Sequence, residues 1–321
     1  MVKLHKSYYL MHIFFLFIVI FISLFQNNLP FTYKDISLFY CILKLRLIWL
    51  IESFFTGMAL SICGVVLQTI LYNPLASPYT IGVSGMASLG AMIFFYLSSH
   101  LFLKIPLISM STGAFIFSIC TIFFLLNISK KFDYQALIKF ILIGVVLNIM
   151  SSSIILFLKY LLSPTEALTI DRWLIGNISA TEIKSLLPLI IVSTISLIFF
   201  LKNSTKLDIL TFGVEVAKSR GIDVEKFLKI LIIFCSLVLS ISISTSGIIS
   251  FVGLIIPHIV KLIGYHNHKN LLFLSGIYGG IFLVICDIIS RIIINGVVIP
   301  IGIITSTIGG IVFLYLILKN K

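Results

Sequence analysis

Long apolar runs follow one another along the chain, separated by short polar breaks. A helix that crosses a bilayer needs about 20 mostly apolar residues. Ten stretches reach or approach that length, at residues 8–25, 47–71, 80–97, 105–128, 137–161, 186–201, 227–243, 248–263, 271–294 and 299–318. The runs at 186–201, 227–243 and 248–263 are short or interrupted by glycine. Some of them are expected to be broken or re-entrant, which a membrane tolerates only where protein or a water-filled cavity covers the backbone. The first run follows Lys3, His5 and Lys6 in the manner of a signal peptide, but it ends in Gln26-Asn27-Asn28 without a small-x-small cleavage pattern. It reads as a retained helix.

Composition points the same way. Of the 321 residues 60% are hydrophobic and only 11% charged, too little polar surface to cover a soluble domain of this length. The reading is one all-α, polytopic membrane domain over residues 1–321. The net charge of +12 does not imply nucleic acid, because basic residues of membrane proteins gather in cytoplasmic loops. With the N-terminus cytoplasmic, fifteen of the 23 Lys and Arg lie inside. That bias places both termini in the cytoplasm and favours ten spans over nine or eleven. The five cysteines form no C-x-x-C pair, and four lie inside apolar runs as small hydrophobes.

Charge inside the runs is sparse: Glu52, Lys159, Asp287 and Arg291. Asp287 and Arg291 are four apart on one helical face and can pair. Glu52 and Lys159 fall near predicted span ends, where long side chains snorkel to water. There is no phosphate-binding loop and no nucleophile, base or metal cluster. His266 and His268 form an H-x-H, and two histidines do not close a metal site. No cofactor is expected.

Two polar features stand out. Residues 202–226 are the most charged part of the chain. There Phe212 and Val216 keep helical spacing, and Gly213 and Gly221 bracket one short amphipathic stretch, as either a docking helix or a solvated connector. In the fifth run Gly144, Asn148, Ser151 and Ser152 form one polar stripe, facing either a neighbouring helix or an aqueous path. Small residues on other runs (Gly57, Ser61 and Gly64; Gly276, Gly279 and Gly280) suit close backbone packing in lipid.

Two segments carry a family signature. One contains Gln68, Asn73-Pro74-Leu75-Ala76 and Gly82. The other contains Phe251-Val252-Gly253 and Pro257-His258, continuing through Asp287, Arg291 and Ile299-Pro300-Ile301-Gly302. Both resemble the FecCD/BtuC-like permeases of type II ABC importers, which move ferric siderophores, haem or cobalamin. The resemblance runs from about Arg46 to the C-terminus. It implies ten helices, a homodimer or a heterodimer with a paralogue in the bacterial cytoplasmic membrane, separate ABC ATPase subunits and an external substrate-binding protein. It further implies that Leu210, Gly213, Glu215, Ala217, Arg220 and Gly221, within a coupling segment at 207–226, engage the ATPase. Arg46 and Arg291 match arginines that pair with the binding protein. Trp49 stands in place of the second arginine of the Leu-Arg-Leu-Pro-Arg element. Siderophore is the first substrate expectation, with haem, cobalamin and molybdate as alternatives. The rival class is an ion-coupled secondary transporter, which would require a buried mid-membrane carboxylate.

Overall fold

The computed structural model describes residues 36–100, 109–128, 134–180, 182–294 and 297–319. Among these residues the chain is all-helical. The helices are α1 (Ile36–Ile70), α2 (Val83–His100), α3 (Met110–Ile128), α4 (Tyr134–Lys159), α5 (Pro164–Leu174), α6 (Ile183–Lys202), α7 (Ser204–Leu210), α8 (Val214–Ser219), α9 (Val224–Ser246), α10 (Val252–Leu262), α11 (His268–Ile292) and α12 (Ile301–Lys319). The run at 8–25 lies outside the described residues. Every other predicted run coincides with a helix. Among the described residues six helices (α1, α3, α4, α6, α9 and α11) are long and apolar enough to cross a membrane, and α10 and α12 are shorter apolar helices.

The breaks fall differently from expectation. The runs at 186–201 and 227–243 are continuous helices of 20 and 23 residues. The run at 248–263 is broken: residues 247–250 are non-helical, and α10 has only 11 residues, a rise of about 16 Å. A second irregular stretch occupies residues 71–82 between α1 and α2, a few residues longer than the break left between the runs at 47–71 and 80–97. Two stretches read as polar connections also hold helix. Residues 36–46 continue α1, since no Gly or Pro interrupts them. Residues 164–174 form α5, opened by Pro164 and by Glu166, whose Oε2 accepts from the Ser163 backbone N–H at 2.9 Å and its hydroxyl at 2.7 Å. Those bonds hold the Glu166 carboxyl below the usual carboxylate range.

Helix α1 is the hub. It packs most extensively on α11 and also on α9 and α10. A Cβ placed on Gly57 would lie 2.1 Å from the Gly279 carbonyl oxygen, and one on Gly64 would lie 1.9 Å from that of Gly253. Backbone therefore meets backbone at both crossings, the close approach that drives association where lipid already solvates apolar side chains. Helix α4 stands apart, presenting Leu142, Val146, Ile149 and Phe157 at its surface.

Candidate functional site

Three groups of residues meet the chemistry expected of the chain. The first is the charged segment at 207–226, built from the short helices α7 and α8. Leu210 and Ala217 are fully buried and anchor it. Phe212 (76% exposed), Glu215, Val216 and Arg220 stand out as an exposed ridge. Gly213 (φ 111°) and Gly221 (φ 78°) take backbone conformations that side-chain-bearing residues rarely adopt, and both face open space. Turn conformation, not crowding, requires glycine there. The Tyr72 hydroxyl donates to the Leu210 carbonyl at 2.8 Å, and burial pushes that phenol's pKa up. Asp208 reaches the start of α11: its Oδ1 accepts from the His268 backbone N–H at 2.9 Å and lies 2.6 Å from His268 Nδ1. His268 is buried, and its Nε2 lies 2.8 Å from the Thr69 hydroxyl near the end of α1. Thus one histidine of the H-x-H is committed to Asp208 and Thr69. Among the described residues no group of three His, Cys, Asp or Glu is placed to hold a metal.

The second group is the pair of irregular segments. Asn73 Oδ1 accepts from the Leu75 backbone N–H at 2.9 Å, an Asx turn that explains an Asn before Pro74. Ser77 and Thr80 close the next turn through the Thr80 hydroxyl, at 2.9 and 2.8 Å. Gly82 follows at φ 79°. Across from it Phe251 caps α10 in the left-handed region at φ 69°, a strained position for a bulky residue. Gln68, one turn before the first segment, ties α1 to α10: its Nε2 donates to the Gly253 and Leu254 carbonyls at 3.4 and 3.3 Å, and its Oε1 accepts from Lys261 at 3.3 Å. Pro257 is buried in α10 and His258 is half-buried beside it. Between the segments lies a cavity of about 450 Å³, lined among others by Leu60, Ser77, Tyr79, Ser250, Phe251 and Leu254. Non-helical backbone amid spanning helices is stable only against such protein or aqueous cover.

The third group lies near the start of the apolar run at 47–71, about midway along α1, with Glu52 about 25 Å from Thr69 by helical rise. Asp287 and Arg291 do pair: Nε donates to both carboxylate oxygens at 3.0 Å. A terminal nitrogen of Arg291 donates to the Ile178 carbonyl at 3.0 Å. The guanidinium carbon stands 3.9 Å from the centroid of the Trp49 ring. Trp49 therefore serves as a cation–π platform for Arg291. Arg46 is half-buried nearby. One expectation needs correction. Glu52 does not snorkel: it is 1% exposed, with its carboxylate accepting from the Ala180 N–H at 2.9 Å and the Ser246 hydroxyl at 3.2 Å. Lys159, at the end of α4, is partly exposed and paired with Asp171 at 2.7 and 2.9 Å. Glu52 also borders a second cavity of about 530 Å³, together with Thr112, Ser179, Ser185, Ser244 and Thr245.

The stripe on α4 divides. A Cβ on Gly144 would lie 2.4 Å from the Thr80 carbonyl oxygen. Asn148 donates to the Tyr79 carbonyl at 2.6 Å and accepts from the Gly85 N–H at 3.2 Å. The Ser151 hydroxyl meets Met86 Sδ at 3.2 Å. These three face α2 and the segment before it, while Ser152 is exposed. Sequence reasoning missed the Asp208–His268–Thr69 contacts and the burial of Glu52. The first carries no spacing signal, since its members lie 60 and 199 residues apart.

With this geometry in hand, comparison with known proteins is direct. The model of the FecCD transport family matches residues 12–319. The chain is 35% identical to the uncharacterized ABC transporter permease protein YvrB of Bacillus subtilis (strain 168), over 87% of this chain and 78% of that one. It is 31% identical to the vitamin B12 import system permease protein BtuC of Vibrio parahaemolyticus, over 94% of this chain and 88% of that one. A solved inward-facing conformation of a metal-chelate type ABC transporter superposes with a TM-score of 0.86 at 25% identity, covering 98% of this chain and 99% of the other. The chain belongs to the FecCD transport family, as a multi-pass membrane permease subunit of an ABC importer.

Proposed function

We propose that this permease carries an iron chelate, a siderophore before other chelates, across the bacterial cytoplasmic membrane, with both termini in the cytoplasm. Two permease chains, identical or paralogous, pair around a central path. An ABC ATPase subunit grips residues 207–226 of each, and a substrate-binding protein docks over Arg46 and Arg291 on the outer face. The observation that carries this reading is the ridge of Phe212, Glu215, Val216 and Arg220, exposed on buried anchors and braced by Tyr72 and Asp208. Two apolar side chains, Phe212 and Val216, exposed together on one anchored ridge among charges support the docking reading. ATP-driven closure of the partners would push the ridge and rock the two permease chains between outward and inward states. The path follows the α4 face that bears Ser152, with Gly144, Asn148 and Ser151 fixing that helix against α2. Gln68, Asn73, Pro74, Gly82, Phe251, Gly253, Pro257 and His258 shape the inner irregular segments.

The test is uptake by the complete importer in proteoliposomes. Iron-loaded siderophore should accumulate with ATP, be blocked by vanadate and survive uncouplers. Gly221→Trp or Arg220→Glu should abolish uptake while leaving the chain folded. Uncoupler-sensitive uptake without ATPase subunits would refute the reading. The similarity to BtuC proteins favours cobalamin as the second substrate, and competition between the two chelates for the binding protein separates them.

A further inference from the structure

We propose that His268 is the joint through which residues 207–226 move the membrane helices, clasping Asp208 of the coupling segment on one ring nitrogen and Thr69 of the hub helix on the other. This deepens the docking reading above and rests on it. An ionised carboxylate only accepts, so the proton on Nδ1 points at Asp208, with 2.6 Å between the heavy atoms. The same Asp208 oxygen caps the first turn of α11 through the His268 backbone N–H at 2.9 Å. His268 is thus held at its ring and at its backbone by one carboxylate oxygen and turns as a body with α7. Its far nitrogen then accepts the single proton of the Thr69 hydroxyl at 2.8 Å, for which the Val65 carbonyl at 2.9 Å is the competing acceptor.

Three elements therefore converge on one buried imidazole: α7, α11 and the hub α1. The Tyr72–Leu210 bond reaches only the irregular segment after α1. One turn N-terminal to Thr69, Val65 and Gly64 lie where α1 meets α10. Adjacent Gln68 holds the Gly253 and Leu254 carbonyls at the start of α10. A displacement of α7 thus reaches the walls of the 450 Å³ cavity through His268, Thr69 and Gln68, without crossing lipid-facing surface. The two-point clasp makes His268 a positioning residue: it touches neither substrate nor nucleotide.

The experiment measures substrate imported per ATP hydrolysed by the complete importer in proteoliposomes. Three variants are compared: His268→Leu, which removes both ring bonds; Thr69→Val, which removes the hydroxyl at constant shape; and Asp208→Asn, which keeps an acceptor for both N–H groups. The expected result is a fall of about fivefold or more in substrate per ATP for His268→Leu and Thr69→Val, within the usual range for coupling between sites, with ATPase subunits still co-purifying. Asp208→Asn should stay near the native ratio. A native ratio in both His268→Leu and Thr69→Val would overturn the proposal. So would ATPase loss or a melted helical signal in both, because the residues would then be merely structural. Arg220→Glu serves as the control for the underlying reading. If it too leaves uptake intact, the docking assignment fails. If it abolishes uptake while the His268 and Thr69 variants couple normally, only the joint fails.

Discussion

The two ends of the apolar run at 47–71, the part of the hub helix that carries its buried polar groups, are held by different physics. At the Glu52 end, formal charges sit almost out of water: Asp287 and Arg291 pair beside Trp49, and Glu52 binds the backbone of a neighbouring loop. At the Thr69 end, a chain of hydrogen bonds runs from a buried imidazole to a segment whose tips are fully wet. Breaking one partner of a buried ion pair strands a charge and costs several kcal/mol. Losing one of the buried His268 bonds costs less, about 1–3 kcal/mol, because it strands no formal charge. On the joint proposed for His268, one end stays put and the other moves. Arg291 donates to Ile178 and Glu52 accepts from Ala180, so the fixed end also straps down the loop at 178–180, which closes the 530 Å³ cavity.

The comparison is broken most forcefully at the fixed end. Arg291→Ala should lower stability by about 3–5 kcal/mol, because Asp287 is left as an unpaired buried carboxylate. Thermal unfolding of the detergent-solubilised chain reads this out. The double substitution of Asp287 and Arg291 by Leu should recover much of the loss, since it removes the stranded charge. If Arg291→Ala unfolds like the native chain, the pair is not a fastening. Trp49→Ala should cost about 1–2 kcal/mol in the same assay, the upper range for a cation over an aromatic face that is partly shielded from water. Trp49→Phe should cost less.

How much of this was legible in the sequence follows from what each feature depends on. Spanning helices depend on local apolar length, so each predicted run in the described part found its helix. Asp287 and Arg291 were legible because four residues make one helical turn. Glu52 was not: Ser53-Phe54-Phe55 gives no sign that Ala180 and Ser246, 128 and 194 residues on, will supply donors. The surroundings of the irregular stretch at 71–82 hid for another reason. Asn73 and Pro74 signal a turn, but nothing local tells whether that turn lies in water or between helices. The stripe on α4 was visible as polarity and its partner was not, because Tyr79 contributes a carbonyl rather than a side chain.

Smaller effects belong to the movable end. Gly213→Ala and Gly221→Ala should each destabilise by about 1–2 kcal/mol, the cost of forcing a Cβ into positive φ with no clash to add. Gly213, at φ 111°, lies further from any well open to alanine and should show the larger change. Equal values near zero would mean that the two turns relax freely, and the segment would then be a poor lever.

The smallest expected change in stability is the most informative about function. Phe212 is 76% exposed, so Phe212→Ser removes little buried surface from the isolated chain and should shift its unfolding by less than about 0.5 kcal/mol. A large ring that contributes little to its own fold, held on an anchored ridge, contributes wherever a partner covers it. Co-purification of ATPase subunits with the Phe212→Ser permease should therefore fall sharply while the unfolding curve stays native. The fixed end predicts the reverse pattern: Trp49→Ala should lower the unfolding curve and leave ATPase recovery intact. If Phe212→Ser instead destabilises the isolated chain and retains its ATPase, the ridge is packing, and the division between a fixed and a movable end of the run at 47–71 is lost.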